Sequence, residues 1–468
     1  MPTATTTHKP LRLGDLLTSL SAALDITAGQ PSGHAVRACV IGLRIATAMG
    51  LSEQMLLRLH YALMLKDAGA SSTSTRLWQL FAANEVEAKR SLRLLDWSSS
   101  VEVANFFAKY IRPDDNPLNR ARRIMRNAAN SMSVRTGINR DRAIGAEAAV
   151  RTLDLDEVVI EGIKAADEHW DGSGLPSGRS SHSIPVFGRI IALATALDTF
   201  AAAYGPERAY AALGKQSGVK FDPDMFQIAK SFETDHRFWT HLKERPRQLL
   251  SFYDTAFLQG VQQDSKVDKV CQAFARIVDA KSPYMRAHSE RVSQYAVQMG
   301  EAMELPPDRL RILKRAALLH DIGKLAVPNN ILEKPQKLTP EEWERIKKYP
   351  FRTEQILTPI SGFRRLGAIA CSHNERLDGS GYHRGVTGEL LDLDMRIVAV
   401  ADVYDALTSE RPQRAAMPLE SVFRILDEQS RTGLDKNCVS VLQQIARGGR
   451  TLQAAAAHGA AGPELRAA

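Results

Sequence analysis

The side chains best suited to chemistry lie in the C-terminal half of this chain. His288 opens an apolar-periodic segment that runs to Met303, His320-Asp321 ends another containing Ala316-Ala-Leu-Leu319, and His373 closes the short apolar run Leu366–Ala370. Asp402 sits inside Ile397-Val-Ala-Val-Ala-Asp-Val-Tyr404, a setting in which a carboxylate is costly unless it is paired or bound to metal. Three imidazoles and two carboxylates, each at a helix end or on an apolar face, form a mixed nitrogen–oxygen set that suits manganese, iron or a similar divalent ion. Adjacent His320 and Asp321 can turn toward one ion, and the second carboxylate oxygen can bridge to another about 3.5–4 Å away. Such a pair acidifies a bound water and clamps a phosphate oxygen. Lys324 follows by three residues and brings an ammonium to the same turn, where it can neutralise phosphate charge. The metal candidates are therefore His288, His320, Asp321, His373 and Asp402, and the catalytic candidates are Asp321 and Lys324.

The elements that must position these groups read as helices. Apolar residues recur at helical intervals over Leu56–Leu65, Val158–Ala166, Val267–Val278, Val292–Met303, Leu310–Leu319 and Glu341–Ile346. No convincing alternating strand is present. Asp171-Gly-Ser-Gly, Glu244-Arg-Pro-Arg, Pro306-Pro307, Pro328-Asn-Asn and Asp378-Gly-Ser-Gly punctuate the chain as turns. The expected fold class is all-α.

The chain also repeats itself. Asp171-Gly-Ser-Gly174 recurs as Asp378-Gly-Ser-Gly381, and Arg189-Ile-Ile-Ala-Leu-Ala-Thr-Ala-Leu-Asp198 recurs as Arg396-Ile-Val-Ala-Val-Ala-Asp-Val-Tyr-Asp405. The offset from the first to the last residue of the series is the same in both copies. Upstream, His34 and Lys66-Asp67 stand apart as His288 and His320-Asp321 do, and Gly218-Val-Lys-Phe-Asp222 answers Gly433-Leu-Asp435 more loosely. A colinear series with equal gaps predicts two homologous helical domains, 10–235 and 265–445, joined by a linker helix, with a disordered tail at 446–468. The first copy carries a longer insertion before its Asp-Gly-Ser-Gly.

Bulk properties agree with a globular protein. At 468 residues the length favours two or three domains. No stretch approaches about 18 consecutive apolar residues, so no membrane-spanning helix is expected, and Met1 to Pro10 lacks the apolar core of a secretory signal. Cys39, Cys271, Cys371 and Cys438 lie far apart without CxxC spacing, which suits reduced packing residues of a cytoplasmic protein. The formal charge is +8, with Arg120, Arg122, Arg123, Arg126, Arg135 and Arg140 clustered between Arg112 and Arg142. A solvated helical face is the plain reading of that cluster, and an anionic partner is the sharper one. No aromatic residues are interleaved there, so a nucleic-acid partner is not expected.

The second copy resembles the HD-GYP branch of the HD phosphohydrolase superfamily. The motifs that carry the resemblance are His288-Ser-Glu-Arg-Val, Leu319-His-Asp-Ile-Gly-Lys324, Ile331-Leu-Glu-Lys334, Leu338-Thr-Pro-Glu-Glu342, Asn374-Glu-Arg-Leu-Asp-Gly-Ser-Gly-Tyr382 and Ala399-Val-Ala-Asp-Val-Tyr-Asp-Ala-Leu-Thr-Ser409. The resemblance implies an all-α fold and hydrolysis of the bacterial second messenger cyclic di-GMP with two or three metal ions, often iron or manganese. It maps the first-metal ligands to His288, His320, Asp321 and Asp402, and a phosphate-contacting lysine to Lys324. Gly381, Tyr382, Arg411 and Arg414 fall in its signature loops and are the further substrate-binding candidates.

The departures from that family weigh equally. His-Pro is Tyr349-Pro350 here, His-His-Glu is His373-Asn374-Glu375, Gly-Tyr-Pro is Gly381-Tyr382-His383, and Arg-Pro-Tyr-Arg is Arg411-Pro-Gln-Arg414. Both missing histidines belong to the second-metal side, which keeps Asp321 and His373; His383 is read as an exposed loop residue. One or two divalent ions, iron or manganese, are expected. The first copy has lost the chemistry: Lys66-Asp67 stands at the His-Asp position, Ala166-Asp167-Glu168 at the His-His-Glu position and Thr195 at the final Asp. The leading expectation is a cytoplasmic cyclic di-GMP phosphodiesterase with a regulatory or structural N-terminal copy, acting on a cyclic dinucleotide, with partner signalling proteins and a homodimer left open. The competing readings are a non-catalytic nucleotide- or partner-binding scaffold, and a phosphohydrolase acting on a mononucleotide or other phosphoester.

Overall fold

The computed structural model describes residues 13–81, 85–95, 99–111, 116–257 and 264–448. Among them the secondary structure is helical throughout, with three isolated β-bridges and no strand. Every segment with helical periodicity forms its helix: Glu53–Leu65, Glu157–Lys164, Asp264–Asp279, His288–Ala302, Pro307–Leu319 and Pro340–Ile346. Their ends follow from local chemistry. Thr339 and Glu342 form a reciprocal capping box with Pro340 in the first turn, and the Asp392 carboxylate accepts from the backbone N–H of Met395 to start Leu393–Thr408.

By packing, the chain divides into two compact units. One comprises the residues up to Arg286 together with Asp321–Arg364; the other comprises Ala287–His320 together with the residues from Arg365 onward. This partition follows contacts, whereas the expected domains followed the repeat. The boundary passes through the His320–Asp321 peptide bond. The single linker helix expected between the copies is a pair, His236–Glu244 and Pro246–Phe257.

In the first unit, Leu77, Phe81, Phe106, Phe107 and Tyr110 form an aromatic-rich core on which Ile124, Val134 and Ile138 of the Arg-rich insertion pack. Arg122, Arg123, Arg126 and Arg140 are exposed, as a solvated face requires. Arg120 instead donates to the carbonyl of Ile111, and Arg142 pairs with Asp167; Arg112 lies outside the described residues. Val186–Tyr204 is long and apolar enough to cross a membrane by length and composition, which no run of the sequence had suggested. Its Phe187, Ile190, Ile191, Ala194 and Leu197 are buried in the protein, and Arg189 and Asp198 are in internal ion pairs. It is a core helix of this unit. Of the expected tail, 446–448 end the helix Lys436–Gly448 and the remainder lies outside the described residues.

Candidate metal centre

In the second unit, His288 begins its helix directly after Ala287, which adopts a left-handed conformation at φ 55°. This turn aims the imidazole inward, where it is fully buried. His320 lies at the C-terminal end of Pro307–Leu319 and His373 just beyond Arg364–Cys371, and both are fully buried. The two rings are fixed by the same device. His320 Nδ1 lies 2.7 Å from the carbonyl of Ala317 and His373 Nδ1 lies 2.6 Å from that of Ala370. Each Nδ1 thus donates to the carbonyl three residues back, which leaves Nε2 as the lone-pair nitrogen suited to a metal.

The ring centroids of His288 and His320 are 5.2 Å apart, and those of His320 and His373 are 4.7 Å apart. Asp402, in the middle of Leu393–Thr408, brings Oδ1 to 3.3 Å from His288 Nε2 and 3.6 Å from His320 Nε2. Burial works against ionisation of Asp402, but the two neighbouring imidazoles, when protonated, prevail and hold it well below the usual carboxylate range. Ligand atoms of His320, His373 and Asp402 all lie within 4.8 Å of one another. Two imidazoles with Nδ1 engaged and one ionised carboxylate match the donor set of a mid-series divalent ion. The residues present fit such an ion.

Two residues that sequence reasoning gave no role complete this arrangement. Asp405 Oδ2 accepts from His288 Nδ1 at 2.7 Å, and Arg291 donates to both Asp405 oxygens, at 2.5 and 2.9 Å. The carboxylate thereby sets the tautomer of His288 as it does in carboxylate–histidine–metal triads. The signal was in the repeat. His34 Nδ1 meets Asp198 Oδ2 at 2.6 Å and Arg37 donates to Asp198 Oδ1 at 2.7 Å. Both arginines follow their histidine by three residues.

Further bonds recur at positions that the repeated motifs place in correspondence. Arg189 and Arg396 pair with Asp222 and Asp435, and each also donates to a carbonyl five residues upstream. Glu168 and Glu375 accept backbone N–H groups of the loops that follow them. Where the metal candidates differ, so does the outcome. Lys66 is buried and its ammonium pairs with Asp67 Oδ2, while Arg93 pairs with Oδ1. Burial pushes His34 down to about 4, reinforced by Lys66, so this imidazole is neutral at physiological pH.

The remaining candidates are distributed as follows. Asp321 is fully buried, and its Oδ2 accepts from Lys324 Nζ, which lies 5.0 Å from the centre of the Tyr349 ring. A Cβ on Gly381 would sit 2.5 Å from both Cα and Oε2 of Glu375, so glycine is required there for close approach. Tyr382 is half-buried, as is His383, which the sequence suggested would be exposed. Arg411 and Arg414 pair through their backbones, and the Arg414 guanidinium donates to the carbonyls of Ala406 and Leu407 near the end of Leu393–Thr408. Asn374 places its amide nitrogen 2.6 Å from His373 Nε2.

An all-α scaffold that gathers the buried imidazoles of His320 and His373 around the carboxylate of Asp402 suits a metal-dependent phosphohydrolase. The chain belongs to the HD-domain family, whose profile matches residues 123–225 and 272–438. A Vibrio cholerae protein named 3′3′-cGAMP-specific phosphodiesterase 3 is 37% identical over 433 residues, covering 92% of this chain and 94% of its own. The crystal structure of a V. cholerae cyclic GMP-AMP specific phosphodiesterase, V-cGAP3, matches with a TM-score of 0.63 at 33% identity, over 94% of this chain and 98% of that one. The cyclic di-GMP phosphodiesterase response regulator RpfG of Xanthomonas campestris is 40% identical over 170 residues, 36% of this chain and 45% of its own. The HD-GYP resemblance and the all-α class both hold.

Proposed function

We propose that this protein hydrolyses a cyclic dinucleotide, with 3′3′-cGAMP as the preferred substrate. The observation that carries the preference is likeness along nearly the whole chain to a 3′3′-cGAMP-specific enzyme. Cyclic di-GMP, the substrate expected from the motifs, is the second reading, favoured by 40% identity to RpfG over a shorter stretch. In this reading His288, His320, Asp321, His373 and Asp402 hold one or two divalent ions, iron or manganese. A bound ion supplies an acidified water and polarisation of a phosphoryl oxygen.

The chain's own residues do the rest. Asp405 and the carbonyls of Ala317 and Ala370 hold the three imidazoles in the tautomer that presents Nε2. Lys324 neutralises charge that builds on the phosphoryl oxygens as the water oxygen bonds to phosphorus and the bond to the ribose 3′ oxygen breaks. Asp321 keeps Lys324 in place. The Gly381-Tyr382 loop and Arg411 contact the nucleotide, and Arg414 supports the Arg411 turn. Residues 10–235 are a degenerate copy of the same domain, supported by the repeated His–Asp–Arg bonds and by the profile match at 123–225. A cytoplasmic setting goes with an intracellular messenger as substrate.

The test is turnover of 3′3′-cGAMP, cyclic di-GMP, cyclic di-AMP and a mononucleotide panel by anaerobically purified protein reconstituted with Mn²⁺ or Fe²⁺. Linear pApG or pGpA from 3′3′-cGAMP at the highest kcat/KM is expected. Faster turnover of cyclic di-GMP would reverse the preference, and no turnover of any cyclic dinucleotide would refute the proposal.

A further inference from the structure

The helix Pro117–Ala129 of the first unit carries apolar side chains on two faces. Ile124 and Ala128 pack on the core that holds Phe81 and Phe107. Leu118, Arg122, Met125, Arg126 and Ala129 recur at intervals that place them side by side on a second face, and all five are exposed. Leu118 is 72% and Met125 64% exposed, and Met132, which follows at the start of Ser131–Arg151, is 62% exposed. A single apolar side chain in water needs no explanation, but a stripe of them rimmed by charge marks an interaction surface.

The charge on this face has one sign. From Asn116 to Arg140 the chain holds six arginines and no acidic residue. Arg120 and Arg135 are engaged inside the unit, with the carbonyl of Ile111 and with His169. Arg122 and Arg126 are exposed and have no carboxylate partner among the described residues. The helix lies in the stretch between Asp67 and Asp171, which is far longer than the stretch between Asp321 and Asp378 that the repeated motifs place in correspondence.

The occupant of the face must accept both kinds of group. A second copy of the same face would set arginine against arginine. Single-stranded nucleic acid binds through aromatic stacking as well as charge, and no aromatic residue occurs between Asn116 and Arg140; its phosphates would leave Leu118 and Met125 in water. A membrane surface rich in anionic lipid satisfies the whole set, with phosphate at the headgroups and an apolar layer directly beneath.

We propose that Pro117–Ala129 is an interfacial helix that docks the protein reversibly on an anionic phospholipid surface. Leu118 and Met125 enter the boundary between headgroups and acyl chains, and Arg122 and Arg126 pair with lipid phosphates. The helix lies on the membrane and does not cross it. Docking of this kind makes no use of Val186–Tyr204, whose apolar side chains are spent on the core of the unit.

The experiment is flotation of the full chain with phosphatidylcholine vesicles that contain or lack phosphatidylglycerol, at low and high salt. Partitioning should rise about tenfold or more with the anionic lipid and fall as salt screens the arginines. The double variant Arg122→Glu/Arg126→Glu should lose about thirtyfold or more, the effect of two surface cations. Leu118→Ser/Met125→Ser should lose about tenfold and keep its preference for phosphatidylglycerol, which separates insertion from attraction by charge alone. All four side chains are exposed, so both variants should unfold at the wild-type temperature. Equal retention of the wild type on both vesicle types, or on neither, would overturn the proposal whatever the variants do. Undiminished binding by either double variant would do the same. Binding to single-stranded RNA or to an acidic peptide in place of anionic vesicles would assign the face to another partner and also overturn it.

Discussion

Replacing Asp405 by Asn separates the orientation of a candidate metal ligand from the stability of the fold. The Asp405 carboxylate is fully buried and accepts from His288 Nδ1 and twice from Arg291. Burial opposes its ionisation, but the bonds from His288 and Arg291 outweigh that and hold it below the usual carboxylate range. Asparagine keeps the size and loses one acceptor, so its amide N–H must face either His288 or Arg291, donor against donor. Loss of such a supporting carboxylate typically weakens metal binding 10–100-fold, or about 1.4–2.8 kcal/mol.

A stability cost accompanies it. Breaking a buried ion pair costs about 3–5 kcal/mol, but Arg291 is 32% exposed and can hydrate, so about 1–3 kcal/mol is expected here. Asp198→Asn is the matched control, because the same bonds to His34 and Arg37 occur where Lys66 and Thr195 replace metal candidates. It should lose comparable stability without loss of metal affinity. The assay is Mn²⁺ competition against a fluorescent chelator, with metal-free thermal unfolding of both variants. If Asp405→Asn binds Mn²⁺ as tightly as wild type while its unfolding temperature falls with that of Asp198→Asn, Asp405 is a staple between helices and the orientation argument is wrong.

Three further outcomes follow from the structure. Lys281 and Glu85 form an ion pair at 2.8 Å with both side chains fully buried, and Glu85 also accepts from the Asn329 N–H. Lys281→Met should therefore cost about 3–5 kcal/mol in a denaturant melt, and a loss under about 1 kcal/mol would contradict this. Ala287 takes a left-handed conformation where the first copy has Gly33 at φ 81°. Ala287→Gly should stabilise by about 1 kcal/mol, visible as a higher unfolding temperature, and a lower one would show that the turn is not strained. Burial pushes the Asp25 carboxyl up to about 7, with Lys66 pulling it back in part. The folded protein then binds the Asp25 proton more tightly than the unfolded chain does. That stabilisation is complete below about pH 4 and declines as pH rises toward 7. The stability advantage of Asp25→Asn over wild type should accordingly grow between pH 4.5 and pH 8, and parallel unfolding curves across that range would refute the assignment.

The candidate metal set was legible because each member breaks a local pattern. A histidine at the end of an apolar helix and an aspartate within one are conspicuous against their apolar neighbours in the sequence. Asp405 is just as buried as the metal candidates, yet it ended a repeat motif without a chemical cue of its own, and its partner lies far away along the chain. Arg414 carries the same charge as Arg411, but only the fold directs it onto the carbonyls of Ala406 and Leu407. Gly381 stood in a signature loop, while its contact with Glu375 became visible only in space.

Composition and periodicity thus determined the helices and the kinds of atom available to a metal, since both depend on neighbours within a few residues. The repeated motifs determined which positions of the sequence correspond. Tertiary structure alone decided which nitrogen of each imidazole faces the cluster, because the hydrogen bond on the opposite nitrogen comes from a carbonyl one turn back or from a carboxylate in a distant helix. It also decided that Lys324 meets both Asp321 and Tyr349. An ammonium on a flexible stem takes its position from the charges and rings that folding packs around it, and the chain order of those groups does not specify that packing.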